Sequence, residues 1–285
     1  MPLNEILTEV ADECAAILGP DFGNVVVTRG VVGLYFTGVS LSTGTAGVCA
    51  TPPPREMHPA CCPGLEDVIP PGTLRGRTAR SLLEELASPY PLRRAVGLAT
   101  LNALAEACLR RCSDPGAELR CGVDAFDAAA IAPGQAVVVV GAFIPFLRAL
   151  KRMGQDYTVL ERSPAMLKPD ELPHFRPAEE ADAVIPHGEV VLMTGSTLLA
   201  GALEHLLAVT RPDARVVVVG PTATLWAGPY FRRGVDVLGG IRVTAPERFL
   251  DMLAEGAGGH HLFGSAAQPV VLLRREGKSG TVLAA

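Results

Sequence analysis

AVVVVGAFIPFLRALKRMGQDYTVLER, residues 136–162, is the stretch whose reading decides the fold of this chain. Its valine run reads as a buried strand, Gly141 as a tight turn, 144–153 as an amphipathic helix and YTVL as a second strand ending in an acid. Glu161 stands twenty residues after Gly141. In a nucleotide-binding βαβ unit, that is the position of a carboxylate that accepts hydrogen bonds from ribose hydroxyls, while the first turn and helix N-terminus face the rest of the ligand. The glycine fingerprint is missing. Ala142, Phe143, Ile144 and Pro145 follow Gly141, and Phe143 occupies the place where a second glycine would let a pyrophosphate approach the backbone.

Downstream the pattern repeats. Strands are expected near 156–160, 189–194, 215–220 and 235–238, with helices near 197–209, 224–233 and 246–255 and an edge strand at 269–273. Short valine-rich strands alternating with amphipathic helices imply a parallel sheet covered on both faces. Upstream, 1–19 reads as a helix closed by Gly19-Pro20, and 24–28 and 31–36 as a hairpin turning at Arg29-Gly30. A small-residue stretch (38–47) and a Pro/Cys loop (49–64) follow, then helices at 78–86 and 92–111. Residues 113–121, SDPGAELRC, read as a linker, and 124–131 as a short helix leading into the sheet. The fold class is α/β: an N-terminal α+β domain over 1–112, then a parallel-sheet domain over 121–285.

With 285 residues, 48% of them hydrophobic, the chain can bury two ordinary cores. A net charge of −5, with no basic cluster larger than a pair, argues against nucleic acid as a partner. The longest apolar run, 136–147, stops at Arg148, short of the roughly 18 to 20 residues of a membrane span. Seven cysteines without an export signal suggest a reducing compartment, so the expectation is a cytoplasmic protein, and the apolar composition suggests a homodimer.

In such a sheet the ligand lies beyond the carboxyl ends of the strands. Three turns fall there: Gly141 to Pro145; Thr194, Gly195, Ser196 and Thr197; and Gly220, Pro221, Thr222, Ala223 and Thr224. Glycine frees the backbone and hydroxyls precede a helix, an arrangement that either caps the helix or binds an anion. Asn102 is a polar residue on an otherwise apolar helix face and needs a buried partner or a ligand. A second constellation, His58, Cys61 and Cys62 with Cys49 upstream, gathers soft metal donors in one loop but matches no paired C-x₂-C pattern. Cys14 and Cys108 read as core residues, and His260-His261 as a surface segment. No nucleophile elbow, H-E-x-x-H or P-loop occurs, which argues against acyl hydrolase, zincin and P-loop NTPase readings.

VVVVGAFIPFLRALKRMGQDYTVLERSP, VVLMTGSTLLAGALEHLL and VVVVGPTATLWAGPYFRRGVDVLGGIRV, in this order, resemble the uncharacterised bacterial and archaeal family named for putative heavy-metal chelation, over roughly 120–275. GVSLSTGTAG and AVGLATLNAL resemble that family's N-terminal module. The resemblance implies an enolase-N-terminal-like domain followed by a Rossmann-like domain, a site between them, and a connection with metal chelation or chelator metabolism. Mapped by motif, Gly141, Phe143, Pro145, Glu161, Thr194, Gly195, Ser196, Thr197, Pro221 and Thr222 would line the cleft, with Asn102 added from the first domain. The Pro/Cys loop departs from the family pattern.

The leading expectation is therefore a small anionic or nucleotide-like ligand in an interdomain cleft. Thr194 to Thr197 and Thr222 would hold negative groups, and Glu161 hydroxyls. The alternatives are a methyltransferase-like enzyme using an S-adenosylmethionine-like nucleotide, or a non-catalytic protein holding a heavy-metal ion through Cys49, His58, Cys61 and Cys62. Phe143 argues against a nicotinamide dinucleotide. No catalytic base or nucleophile is identified by the sequence.

Overall fold

The computed structural model describes residues 4–52, 68–114 and 116–275. Helix α1, Glu5–Leu18, starts where the Asn4 side chain accepts the Leu7 amide at 3.2 Å and ends at Gly19 with φ 59°. Its buried stripe of Ile6, Leu7, Val10, Cys14 and Leu18 faces the core. Strands β1 (Val27–Val32), β2 (Phe36–Leu41) and β3 (Ala46–Ala50) form an antiparallel meander in the order β1-β2-β3.

The first hairpin differs from the sequence reading. Arg29 and Gly30 lie inside β1, paired with Ser40 and Val39, and the turn is three residues later, where the Gly33 amide bonds Phe36 O at 3.0 Å. Gly30 serves packing, since a Cβ there would stand 2.7 Å from Leu74 Cδ1. The small-residue stretch 38–47 is itself the second hairpin, closed by Leu41 N to Thr45 O at 2.9 Å.

Helix α2, Ala79–Leu83, is capped by Thr78, and α3, Pro91–Arg111, lies across β2 and β3. Every residue of α3 from Ala95 to Cys108 is buried, so it lacks the one-sided stripe of a surface helix. The small sheet covers one side, while α1, α2 and, from the second half, the segment Ser196–Ala200 pack on the rest.

The second half runs β4 (Ala117–Cys121), α4 (Ala125–Ala129), β5 (Val137–Val140), α5 (Ile144–Met153), β6 (Tyr157–Glu161), β7 (Phe175–Pro177) and α6 (Ala181–Val184). It continues β8 (Val190–Thr194), α7 (Ser196–Ala200), α8 (Leu203–Ala208), β9 (Arg215–Val219), α9 (Gly228–Phe231), β10 (Val237–Val243), α10 (Pro246–Ala254), α11 (Gly259–Leu262) and β11 (Ala267–Arg274). The eight strands form one sheet in the order β4-β11-β10-β9-β8-β5-β6-β7. Strands β5 to β10 are parallel, and β11 and β4 extend the sheet antiparallel. The segment read as a linker thus contains β4, and β11 is an internal strand because β4 covers its outer edge.

Alternate residues of the central strands point to opposite faces. Val138, Val140, Val191, Met193, Val216 and Val218 join the cluster containing α1 and α3, whereas Val137, Val139, Val190, Leu192 and Val217 pack with Phe146, Leu147 and Leu150 of α5. Counted from β5, the parallel strands follow the doubly wound order 3-2-1-4-5-6, which places the reversal of direction between β5 and β8. The architecture is α/β, a small antiparallel sheet with helices followed by a larger, mostly parallel sheet.

Side chains lock the halves together. Buried Glu106 of α3 pairs with Arg242 of β10 at 2.9 Å and with Arg110 at 3.1 Å. Glu9 and Glu13 of α1 bind Arg232 and Arg233, and Trp226 Nε1 donates to Glu13 at 2.6 Å. No described helix is long and apolar enough to cross a membrane.

Candidate functional site

The three glycine turns lie side by side on the carboxyl edge of the sheet. A Cβ on Gly141 (φ 92°) would stand 2.6 Å from Thr194 Cγ2, and one on Gly195 would stand 2.6 Å from Ala223 N. The backbone ties the row to the sheet: Gly141 N bonds Leu160 O at 2.9 Å, Gly195 N bonds Val219 O at 2.7 Å and Gly220 N bonds Gly239 O at 3.0 Å. The first two turns flank the strand reversal, where open α/β sheets place their crevice.

Glu161 ends β6 beside this point and is half-buried. Its Oε2 accepts the Ala142 amide at 2.8 Å and its Oε1 accepts the Arg162 amide at 2.7 Å. A carboxylate accepts about four hydrogen bonds, so each oxygen retains a lone pair while the backbone fixes its direction. Phe143 precedes α5 half-buried, its ring edge-on to Phe146 with centroids 4.6 Å apart, and Pro145 in the first turn of α5 is exposed.

The hydroxyls are engaged locally. Thr197 Oγ1 donates to Thr194 O at 2.7 Å, Thr194 Oγ1 accepts the Ser196 amide at 3.4 Å, and Ser196 is exposed. Thr222 and Asn102 sit together at the seam between the halves. Thr222 Oγ1 accepts the Ala50 amide at 2.9 Å, and Asn102 Nδ2 donates to Val48 O at 2.7 Å and to Thr222 O and Pro221 O at 3.4 and 3.5 Å. Asn102 Oδ1 is buried without a protein partner, beside a cavity of about 10 Å³, the volume of roughly one water. The seam is thus closed by direct bonds at Asn102 and Thr222, while at the strand ends Phe143, Glu161 and Thr194 are half-buried and Ser196 is exposed. Ala142 joins the site through its amide, a role that no side-chain motif signals. A larger groove, about 610 Å³ and bordered by Gln155, Asp156, Arg176 and His187, opens at the opposite, amino end of the strands.

The soft donors separate. His58, Cys61 and Cys62 lie outside the described residues. Cys49 is buried in β3, and burial pushes its thiol up to about 12, which disfavours the thiolate a metal requires. Cys14 and Cys108 are also buried, as expected, and Cys112 and Cys121 are exposed. Among the described residues no group of three His, Cys, Asp or Glu side chains is placed to hold a metal ion. His260 and His261 are exposed on α11.

Comparison with known proteins gives consistent results. Two family models, each described as putative heavy-metal chelation, match residues 15–105 and 124–272. The fold is similar to the crystal structure of a protein with unknown function from Pyrococcus horikoshii, of the family matched at 124–272. That pair has a TM-score of 0.70 and 18% identity, covering 93% of this chain and 98% of the other. It is also similar to a relative of unknown function from Desulfitobacterium hafniense, with a TM-score of 0.69 and 20% identity, covering 94% and 99%. No curated protein matches the sequence. With one family model spanning 124–272, more than half of its length, the chain belongs to the putative heavy-metal chelation family.

Proposed function

We propose that this protein binds a small nucleotide-like metabolite at the carboxyl edge of the large sheet, beside the strand reversal, as part of the handling of a metal-chelating compound. Glu161 is the observation that carries the reading: a half-buried carboxylate at the end of β6, aimed by the Ala142 and Arg162 amides, with lone pairs left for two hydroxyl donors. Phe143 offers an apolar wall, Thr194 and Ser196 form the far rim, and the Asn102–Thr222 seam closes the back. The family description supports the link to chelation, while the buried, protonated Cys49 favours binding of an organic molecule over direct capture of a soft metal by the described residues.

The test is native mass spectrometry with elemental analysis on protein purified without chelators, with Glu161→Ala alongside. A retained organic mass that disappears in Glu161→Ala, at unchanged melting temperature, is the expected result. Stoichiometric metal that is lost on replacing Cys61 and Cys62 by Ser, with no organic mass, would overturn the reading.

A further inference from the structure

Resting on the nucleotide-like site at Glu161, we infer that its ligand presents a vicinal diol but no phosphate at the β5–α5 turn, which makes it a nucleoside or nucleoside thioether. The argument is a count of donors. A phosphate at the first turn of a doubly wound sheet is held by several backbone amides converging from the loop and the helix N-terminus.

Here those amides have other acceptors. Gly141 N bonds Leu160 O at 2.9 Å, Phe143 N bonds Gly141 O at 2.7 Å, and Ala142 N bonds Glu161 Oε2 at 2.8 Å. Pro145 has no N–H, and the Phe146 and Leu147 amides both bond Phe143 O, at 2.9 and 3.1 Å. Ile144 alone is left in the turn, among the described residues. Steric access agrees. The open flank that glycine offers at position 141 is filled by Thr194 Cγ2, and Phe143 stands where a second glycine would admit a pyrophosphate.

The amide that would bind phosphate is thus the one that aims Glu161. Bringing a phosphate there would require breaking the Ala142–Glu161 bond and setting two negative groups side by side. A diol needs neither change, because its two O–H groups meet the outer lone pairs of the carboxylate.

Isothermal titration of the full chain and of Glu161→Ala with adenosine, S-adenosylhomocysteine, ADP and NAD separates the outcomes. Adenosine or S-adenosylhomocysteine should bind at least about tenfold more tightly than ADP and NAD. 2′-Deoxyadenosine should lose about ten- to a hundredfold, the range of a hydrogen bond to a charged group, and Glu161→Ala should abolish the preference for the diol. If ADP or NAD binds as tightly as the nucleosides and Glu161→Ala removes that binding, the phosphate-free inference is overturned and the site at Glu161 stands. If none of the four binds, or binding is indifferent to Glu161→Ala, the site and the inference both fail.

Discussion

Replacing Gly47 by alanine probes the contact that holds β3 against α3. A Cβ at this position would stand 2.2 Å from Ala103 N and from Ala99 O, and 2.7 Å from Asn102 C. All three are backbone atoms, so no side-chain rotation relieves the overlap, and strand and helix must part by more than about 1 Å to reach ordinary contact. The same movement stretches two hydrogen bonds that cross the contact, Thr45 Oγ1 to Ala103 O at 2.8 Å and Asn102 Nδ2 to Val48 O at 2.7 Å. Overpacking costs about 1–3 kcal/mol, and each buried hydrogen bond contributes about 1 kcal/mol, which together predict a loss of about 3–5 kcal/mol. At about 2–4 °C per kcal/mol for a chain of this size, the melting temperature should fall by roughly 6–20 °C. Urea denaturation followed by circular dichroism measures the loss directly. Gly23→Ala is the control, since nothing lies within 4 Å of a Cβ there, and it should stay within about 0.5 kcal/mol of the parent. A Gly47→Ala variant within about 1 kcal/mol of that control would refute the backbone-to-backbone packing of β3 on α3.

Three further predictions concern other parts of the molecule. Hydrogen bonds from Arg233 and then Arg232 hold the Glu9 carboxyl at about 2, below its ordinary 4.5, so its contribution is present above the unfolded value and is lost as pH falls through the folded one. Glu9 keeps 36% of its side chain exposed, so screening limits that contribution to about 1 kcal/mol, and Glu9→Gln should flatten the stability–pH curve by that amount between about pH 5 and 2. In a Cys61→Ser, Cys62→Ser background, a thiol reagent should modify Cys112 and Cys121 quickly and Cys14, Cys49 and Cys108 only on unfolding; fast native labelling of Cys49 would contradict its burial. Asn102→Ala and Thr222→Val each strand a partner, Val48 O and the Ala50 amide, and should each cost about 1–3 kcal/mol in thermal melts, with the double variant losing less than the sum. Strict additivity would show that the two do not share one seam.

Much of the large sheet was legible because its signals are local. The four valines of β5, the amphipathic period of α5 and the turn glycines each state their own conformation within a few residues, and alternation of such units leaves a parallel sheet as the economical way to bury them. The family resemblance could be read from the same blocks. The errors fell where competing local signals were equal. Arg29-Gly30 has the composition of a turn, yet both lie in β1 because β2 pairs with them, Arg29 opposite Ser40 and Gly30 opposite Val39. Ala117–Cys121 has the composition of a linker and becomes β4 because β11 offers it an edge to pair with.

The position of Glu161 at a strand end was set by spacing alone, and so was the alignment of the three turns on one edge. What only the tertiary structure decided is how their donors are used. Whether the Ala142 amide meets a phosphate or a carboxylate, and whether Thr222 and Asn102 face a ligand or the backbone of β3, depends on which segments the fold brings within 3 Å. A hydrogen bond is decided by tenths of an ångström between residues far apart in the chain, while strand and helix patterns are decided by neighbours, and a sequence carries only the second kind of information openly.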